Sequence, residues 1–140
     1  MNLIVYFSAE GHTRKVAIKL HKLINSEIFE IKTLKSYPKN HKELLEVAKK
    51  EWKNQKLPDL ENNINLDKFD TIYLCYPDWF GTIPLAVASF LKNNDFKNKG
   101  IIAICTHGGS GFRNSLDDIE KLASDAVISG KLAINSSDLK

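Results

Sequence analysis

Leu3-Ile4-Val5-Tyr6-Phe7, followed by Ser8-Ala9-Glu10-Gly11-His12-Thr13, is the stretch that decides the fold. The first five residues are apolar and mostly β-favouring, which suits a strand buried on both faces. A helix pattern follows almost at once. Val16, Ala17, Leu20, Leu23 and Ile24 stand at the i, i+1, i+4, i+7, i+8 spacing of a core-facing stripe across residues 14–25.

Working outward, the same alternation continues. Glu27 to Ile31 reads as a second strand. Asn40 offers an N-cap with Glu43 completing a capping box, and Leu44, Val47, Ala48, Glu51 and Trp52 follow on a helix of about three turns. Phe69 to Tyr76 reads as the third strand, ended by Pro77. Thr82 can cap a third helix with Pro84 near its first turn, and Leu85, Ala88 and Leu91 give its apolar stripe. Ile101 to Cys105 is a fourth apolar run. Ser115 with Asp118 forms another capping box, ahead of Leu116, Ile119, Leu122 and Ala123, and Val127-Ile128 begins a weak fifth strand. The order β-α-β-α-β-α-β-α-β predicts an α/β fold, a parallel sheet with helices on both faces. Asn135-Ser136-Ser137 would cap one more helix, yet only Asp138, Leu139 and Lys140 follow. One flank of the sheet is therefore expected to be bare, used as a homodimer contact or left by a missing or truncated last helix.

A chain of 140 residues fits one domain over 1–140, and 43% apolar with 26% charged residues is ordinary for a globular protein. No apolar run approaches the roughly 18 residues of a membrane span. The apolar start lacks the positive flank of a signal peptide, so a cytoplasmic location is expected. The net charge of +3 is uneven: Arg14 to Lys56 holds twelve Lys/Arg against five Glu. Those lysines alternate with glutamates at helical spacing, which reads as a solvated helix surface rather than a nucleic-acid footprint. Cys75 and Cys105 form no CxxC motif and read as buried thiols in strands, with a redox dithiol or metal site as the alternative. His21 and His41 lie among lysines and read as surface residues, and no histidine has metal-ligand spacing.

Open parallel sheets bind ligands beyond the carboxyl ends of their strands, so the loops after strands one, three and four matter most. In Ser8 to Thr13, small hydroxyl residues, a glycine and a helix N-terminus suit an anion cradle, although a plain strand-to-helix turn also explains them. The loop lacks the lysine of a P-loop, so it suits holding a phosphate rather than cleaving one. Tyr76-Pro77-Asp78-Trp79-Phe80-Gly81-Thr82 carries three aromatics in five positions. They form either a stacking wall for a planar ring or a patch folded back on the sheet edge. Thr106-His107-Gly108-Gly109-Ser110-Gly111-Phe112 lets backbone pass close to a flat ligand, or serves as flexible spacing.

These three loops, in this order, resemble those of flavodoxins, specifically the short branch with Y-P-x-W-[WF]-G-T and C-T-H-G-G-S-G-F loops, here Tyr76 to Thr82 and Cys105 to Phe112. The resemblance runs from residue 2 to about 134. It implies a three-layer α/β/α flavodoxin-like fold with a five-stranded parallel sheet in the order 2-1-3-4-5, and flavin mononucleotide (FMN) as cofactor. By that resemblance Ser8, Gly11, His12 and Thr13 would hold the phosphate. Pro77, Asp78, Trp79, Phe80 and Gly81 would line the isoalloxazine ring, with Trp79 stacking on it. Thr106, His107, Gly108 and Gly109 would border its pyrimidine end, and Phe112 would only pack.

Two residues depart from the family's phosphate loop: Glu10 replaces a threonine and His12 an asparagine. Glu10 sets a negative charge near a dianionic phosphate. A protonated His12 would offset it, so FMN affinity is expected to fall as pH rises through the histidine titration. The resemblance implies an electron carrier shuttling between a reductase and an acceptor protein, with no catalytic residue of its own, no nucleic acid and no membrane. Two alternatives remain at this point: an FMN-dependent NAD(P)H:quinone-type oxidoreductase, and a flavodoxin-like module that has lost FMN.

Overall fold

The computed structural model describes residues 1–139. Five strands form one fully parallel sheet: β1 (Asn2–Tyr6), β2 (Glu27–Glu30), β3 (Thr71–Pro77), β4 (Gly100–His107) and β5 (Val127–Asn135). Their spatial order is β2-β1-β3-β4-β5, the expected arrangement. Four helices connect them: α1 (His12–Leu23), α2 (His41–Asn54), α3 (Leu85–Lys92) and α4 (Ser115–Leu122). No helix among the described residues is long and apolar enough to cross a membrane.

The continuous apolar runs have the predicted cause. Successive residues of a strand point to opposite faces, so a strand covered on both sides must be apolar throughout. Leu3 and Val5 join Ile72, Leu74, Tyr76, Ile101 and Ala103 on one face, against α3 and Ile119 of α4. Ile4, Tyr6, Cys75 and Ile104 occupy the other, against Val16 and Ala17 of α1. Both cysteines are buried and unpaired in strands, and burial pushes each thiol up to about 12.

Several local expectations are corrected. Helix α1 begins at His12, so His12 and Thr13 belong to its first turn, and Leu23 is exposed. Asn40 does cap α2, accepting from the Lys42 and Glu43 amides at 2.9 and 3.2 Å. The helix runs fourteen residues, however, and buries only Leu44 and Ala48 of its expected stripe fully, while Val47 and Trp52 remain exposed. Thr82 caps nothing: Pro84 holds the N-cap of α3, and the Thr82 hydroxyl donates to the Asp118 carboxylate. Helix α3 is buried from Leu85 to Leu91, so its sequence is apolar all round rather than striped.

Ser115 is likewise not a cap. Asn114 is the N-cap of α4, and Ser115, fully buried, donates to the Phe112 carbonyl at 2.7 Å. Because that uses the serine's one proton, the buried Tyr76 hydroxyl must donate to Ser115 Oγ, 2.9 Å away. Strand β5 runs nine residues, far past Val127-Ile128. Pairing jumps from Ile101–Ile128 to Ile102–Gly130, which makes Ser129 the extra residue of a bulge. The flank expected to be bare is open along β5, where Val127 and Leu132 are 68% and 53% exposed. Asn135 accepts from the Ser137 amide at 3.0 Å, capping a 3₁₀ turn over Ser136–Asp138.

Two measurements check this packing. Ser115→Ala strips the buried Tyr76 hydroxyl of its acceptor and should cost about 1–3 kcal/mol in urea unfolding. Adding Tyr76→Phe should recover part of that loss. At pH 8 both thiols stay protonated, so a thiol reagent should label Cys75 and Cys105 only as fast as the protein unfolds; rapid labelling of the folded protein would contradict their burial.

Candidate functional site

The chain leaves β1 for β2 on one side and β3 for β4 on the other, so the sheet's switch point lies between β1 and β3. The loops after β1, β3 and β4 meet there. They enclose a cleft of about 310 Å³.

The loop after β1 is shaped by Gly11, whose φ of 96° suits a residue without a Cβ. Its amide donates to Ser8 Oγ at 3.1 Å, leaving Ser8 its own proton to give. Thr13 is buried, and its hydroxyl lies 2.8 Å from that of Thr106. This bond joins the first turn of α1 to the end of β4 across β3.

The loop after β3 closes on itself. Trp79 N donates to Thr82 O at 2.9 Å and Thr82 N to Trp79 O at 3.1 Å. Between them Phe80 and Gly81 both have positive φ, 55° and 82°, the pattern of a type I′ turn. Such a turn carries its two central residues at the tip. Phe80 accordingly packs on Trp52, with ring centroids 5.8 Å apart. Trp79 points the other way, edge-on to Phe7 at 5.4 Å and to Tyr37 at 5.5 Å. Tyr37 donates to Glu51 at 2.6 Å, which fixes the ring behind the tryptophan, and burial together with that bond keeps its hydroxyl protonated well above the usual range.

The loop after β4 is pinned to its neighbour. Asp78 N donates to Thr106 O and Asn114 N to Gly81 O, each at 2.8 Å. Ser110 donates to Asp78 Oδ2 at 2.6 Å, whereas Asp78 Oδ1 is buried without a partner. His107 Nδ1 accepts from the Gly109 amide at 2.9 Å, which places the ring proton on Nε2.

The cleft gathers Ser8, Glu10, His12 and Thr13 from the first loop, Pro77, Asp78 and Trp79 from the second, and Thr106, His107 and Gly108 from the third. Four expected site residues do not line it. Gly11 serves as the N-cap of α1, Phe80 and Gly81 form the turn tip, and Gly109 gives its amide to His107 Nδ1. Four unforeseen residues do line it: Ala9, His41, Leu45 and Ser136. Leu45 sits beside the buried stripe of α2, an exposed apolar residue that the helix pattern alone marks as out of place. His41 carried no sequence signal. It is exposed, as expected, but its Nδ1 donates to Glu10 Oε1 at 2.5 Å. Glu10 thus pairs with His41, which the sequence reading did not connect to it. Among the described residues no cluster of three His, Cys, Asp or Glu side chains could hold a metal ion.

No curated protein sequence matches the chain significantly. Solved structures do share its fold. A flavoprotein of Lactobacillus acidophilus, solved in complex with FMN, is 23% identical with a TM-score of 0.78, over 99% of this chain and 95% of that one. The apo-form of the flavoprotein from the same organism, solved by NMR, gives 21% and 0.74 over the same shares of the two chains. A protein of Bacteroides eggerthii, provisionally named a flavoprotein, gives 22% and 0.81, over 99% of this chain and 92% of that one. Sheet order, switch-point cleft and a family model described as flavodoxin that matches residues 1–140 agree, and the chain belongs to the flavodoxin family.

Proposed function

We propose that the cleft binds FMN without a covalent bond and that the protein carries electrons between a reductase and an acceptor protein. The observation that carries this reading is the convergence of three loops on one cleft whose lining combines an anion site with apolar groups. The anion site is the Ser8 hydroxyl with the N-terminus of α1, where backbone amides and the helix dipole favour negative charge. The apolar groups are Pro77 and Trp79 of the second loop and Leu45 of α2. A phosphate-tailed planar ring matches that pairing, and the cleft is of the size that holds a cofactor.

Two further features support a flat ligand with hydrogen-bond donors. Asp78 Oδ1 is a buried acceptor with no donor, a costly state that a ring or ribityl donor would relieve. A Cβ built on Gly108 meets nothing within 4 Å, so the space beside that backbone is free for a ligand. When bound, FMN supplies reversible transfer of one or two electrons, while the protein supplies binding, orientation and field. Ser8 and the first turn of α1 hold the phosphate. Trp79, fixed edge-on by Phe7 and Tyr37, presents a wall that needs no rearrangement. Asp78 holds a carboxylate where extra negative charge on the ring is disfavoured, which suits a carrier of low potential.

The purified protein titrated with FMN should quench the flavin's fluorescence and shift its visible bands, saturating at one flavin per chain. Steady oxidation of NAD(P)H with a quinone, without a separate reductase, would replace the carrier reading with an oxidoreductase. Gly108→Ala should leave the melting temperature unchanged and weaken FMN binding about tenfold, because the added methyl fills the ligand's space. Undiminished affinity in that variant would remove Gly108 from the site.

A further inference from the structure

Glu10 and His41 are 31 positions apart in the chain, so their contact ties the loop after β1 to the first turn of α2. Both line the cleft, and their side chains are 42% and 67% exposed. A contact so open to water contributes little to folding. It is therefore cheap to exchange for another partner.

The charges around the cleft give the exchange a purpose. No lysine or arginine is among the described residues that line it. Its acids are Glu10 and Asp78, and its chargeable bases are the imidazoles of His12, His41 and His107. Asp78, in the second loop, is held by Ser110 of the third, and the Nδ1 of His107 is committed to Gly109. The His12 side chain makes no hydrogen bond or salt bridge among the described residues. His41 alone is already bound to a carboxylate oxygen, the kind of acceptor that a phosphate oxygen resembles in charge and geometry.

We propose that Glu10 and His41 form an exchangeable latch: an arriving phosphate takes the place of the Glu10 carboxylate on His41, and the pair thereby sets how strongly the cleft prefers a phosphorylated flavin to an unphosphorylated one. This rests on the FMN reading and adds to it a pair of specificity-determining residues. Glu10 is the competitor and lowers phosphate affinity; His41 is the recipient and raises it. A flavin without phosphate leaves the latch shut and is indifferent to both.

The test compares FMN with riboflavin in wild type, Glu10→Gln, His41→Ala and His41→Lys, each shown by its melting curve to be folded. Glu10→Gln should tighten FMN about three- to tenfold, and His41→Ala should weaken it by a similar factor, with riboflavin unchanged in both. His41→Lys restores a hydrogen-bond donor at that position and should restore FMN affinity. A merely structural role for the pair would move both flavins together. Equal shifts for FMN and riboflavin, or an FMN-to-riboflavin ratio within about twofold of wild type in all variants, overturns the latch while leaving FMN binding in place. Wild type that binds neither flavin overturns the FMN reading, and the latch falls with it.

Discussion

Burial of the central strands on both faces is the constraint from which the rest follows. A parallel strand pair cannot be joined by a tight turn, so each connection must cross over a face of the sheet and cover it. The middles of strands β1, β3 and β4 are buried by this means, except at the half-buried Tyr73 and Ile102. Their ends then become the places where backbone can leave the core, and at the carboxyl end three such exits fall side by side. The Thr13–Thr106 hydroxyl bond closes that arrangement from within, since it fixes helix α1 against strand β4 at the floor of the cleft.

The walls are held as firmly as the floor. The loops after β3 and β4 are fastened to each other by backbone and side-chain bonds: Asp78 to Thr106, Gly81 to Asn114, Ser110 to Asp78. The tight turn at Phe80-Gly81 sends one aromatic outward to Trp52 and leaves the other facing the cleft. Phe80 occupies a left-handed conformation that a residue with a Cβ adopts at some cost, and its contact with Trp52 offsets part of it. Bonds of this kind restrain the walls of the cleft, which lowers the ordering cost of binding. Only the Glu10–His41 pair, exposed and weakly held, departs from that rigidity.

How much of this was legible follows from where each residue's partner lies. The apolar runs of β1, β3 and β4 declare themselves because burial on two faces leaves no room for polar residues. Asn40 was readable as a cap because its partners, the Lys42 and Glu43 amides, are its neighbours in sequence. Thr82 and Ser115 have the same local signature, yet their hydroxyls reach Asp118 and Phe112 and accept Tyr76, so tertiary bonds override the capping pattern. Strand β5 extends well past its apolar start because Ser129, Gly130 and Lys131 interrupt its apolar character, and an outer strand does not require that character. In the site, the loops themselves were visible, but the turn that points Phe80 away and the distant His41 that meets Glu10 depend on geometry no spacing rule carries.

Open sheet margins invite other strands to join them and grow into fibres. This sheet has two such margins, and each is blunted in its own way. Strand β2 is four residues long and carries Glu27 and Glu30, with Lys68 bound to Glu27 at 2.8 Å. Strand β5 is long but kinked by its extra residue at Ser129, and two residues further on it carries the exposed Lys131. The kink that hid the strand from sequence reading is thus also what makes it a poor template for edge-to-edge aggregation.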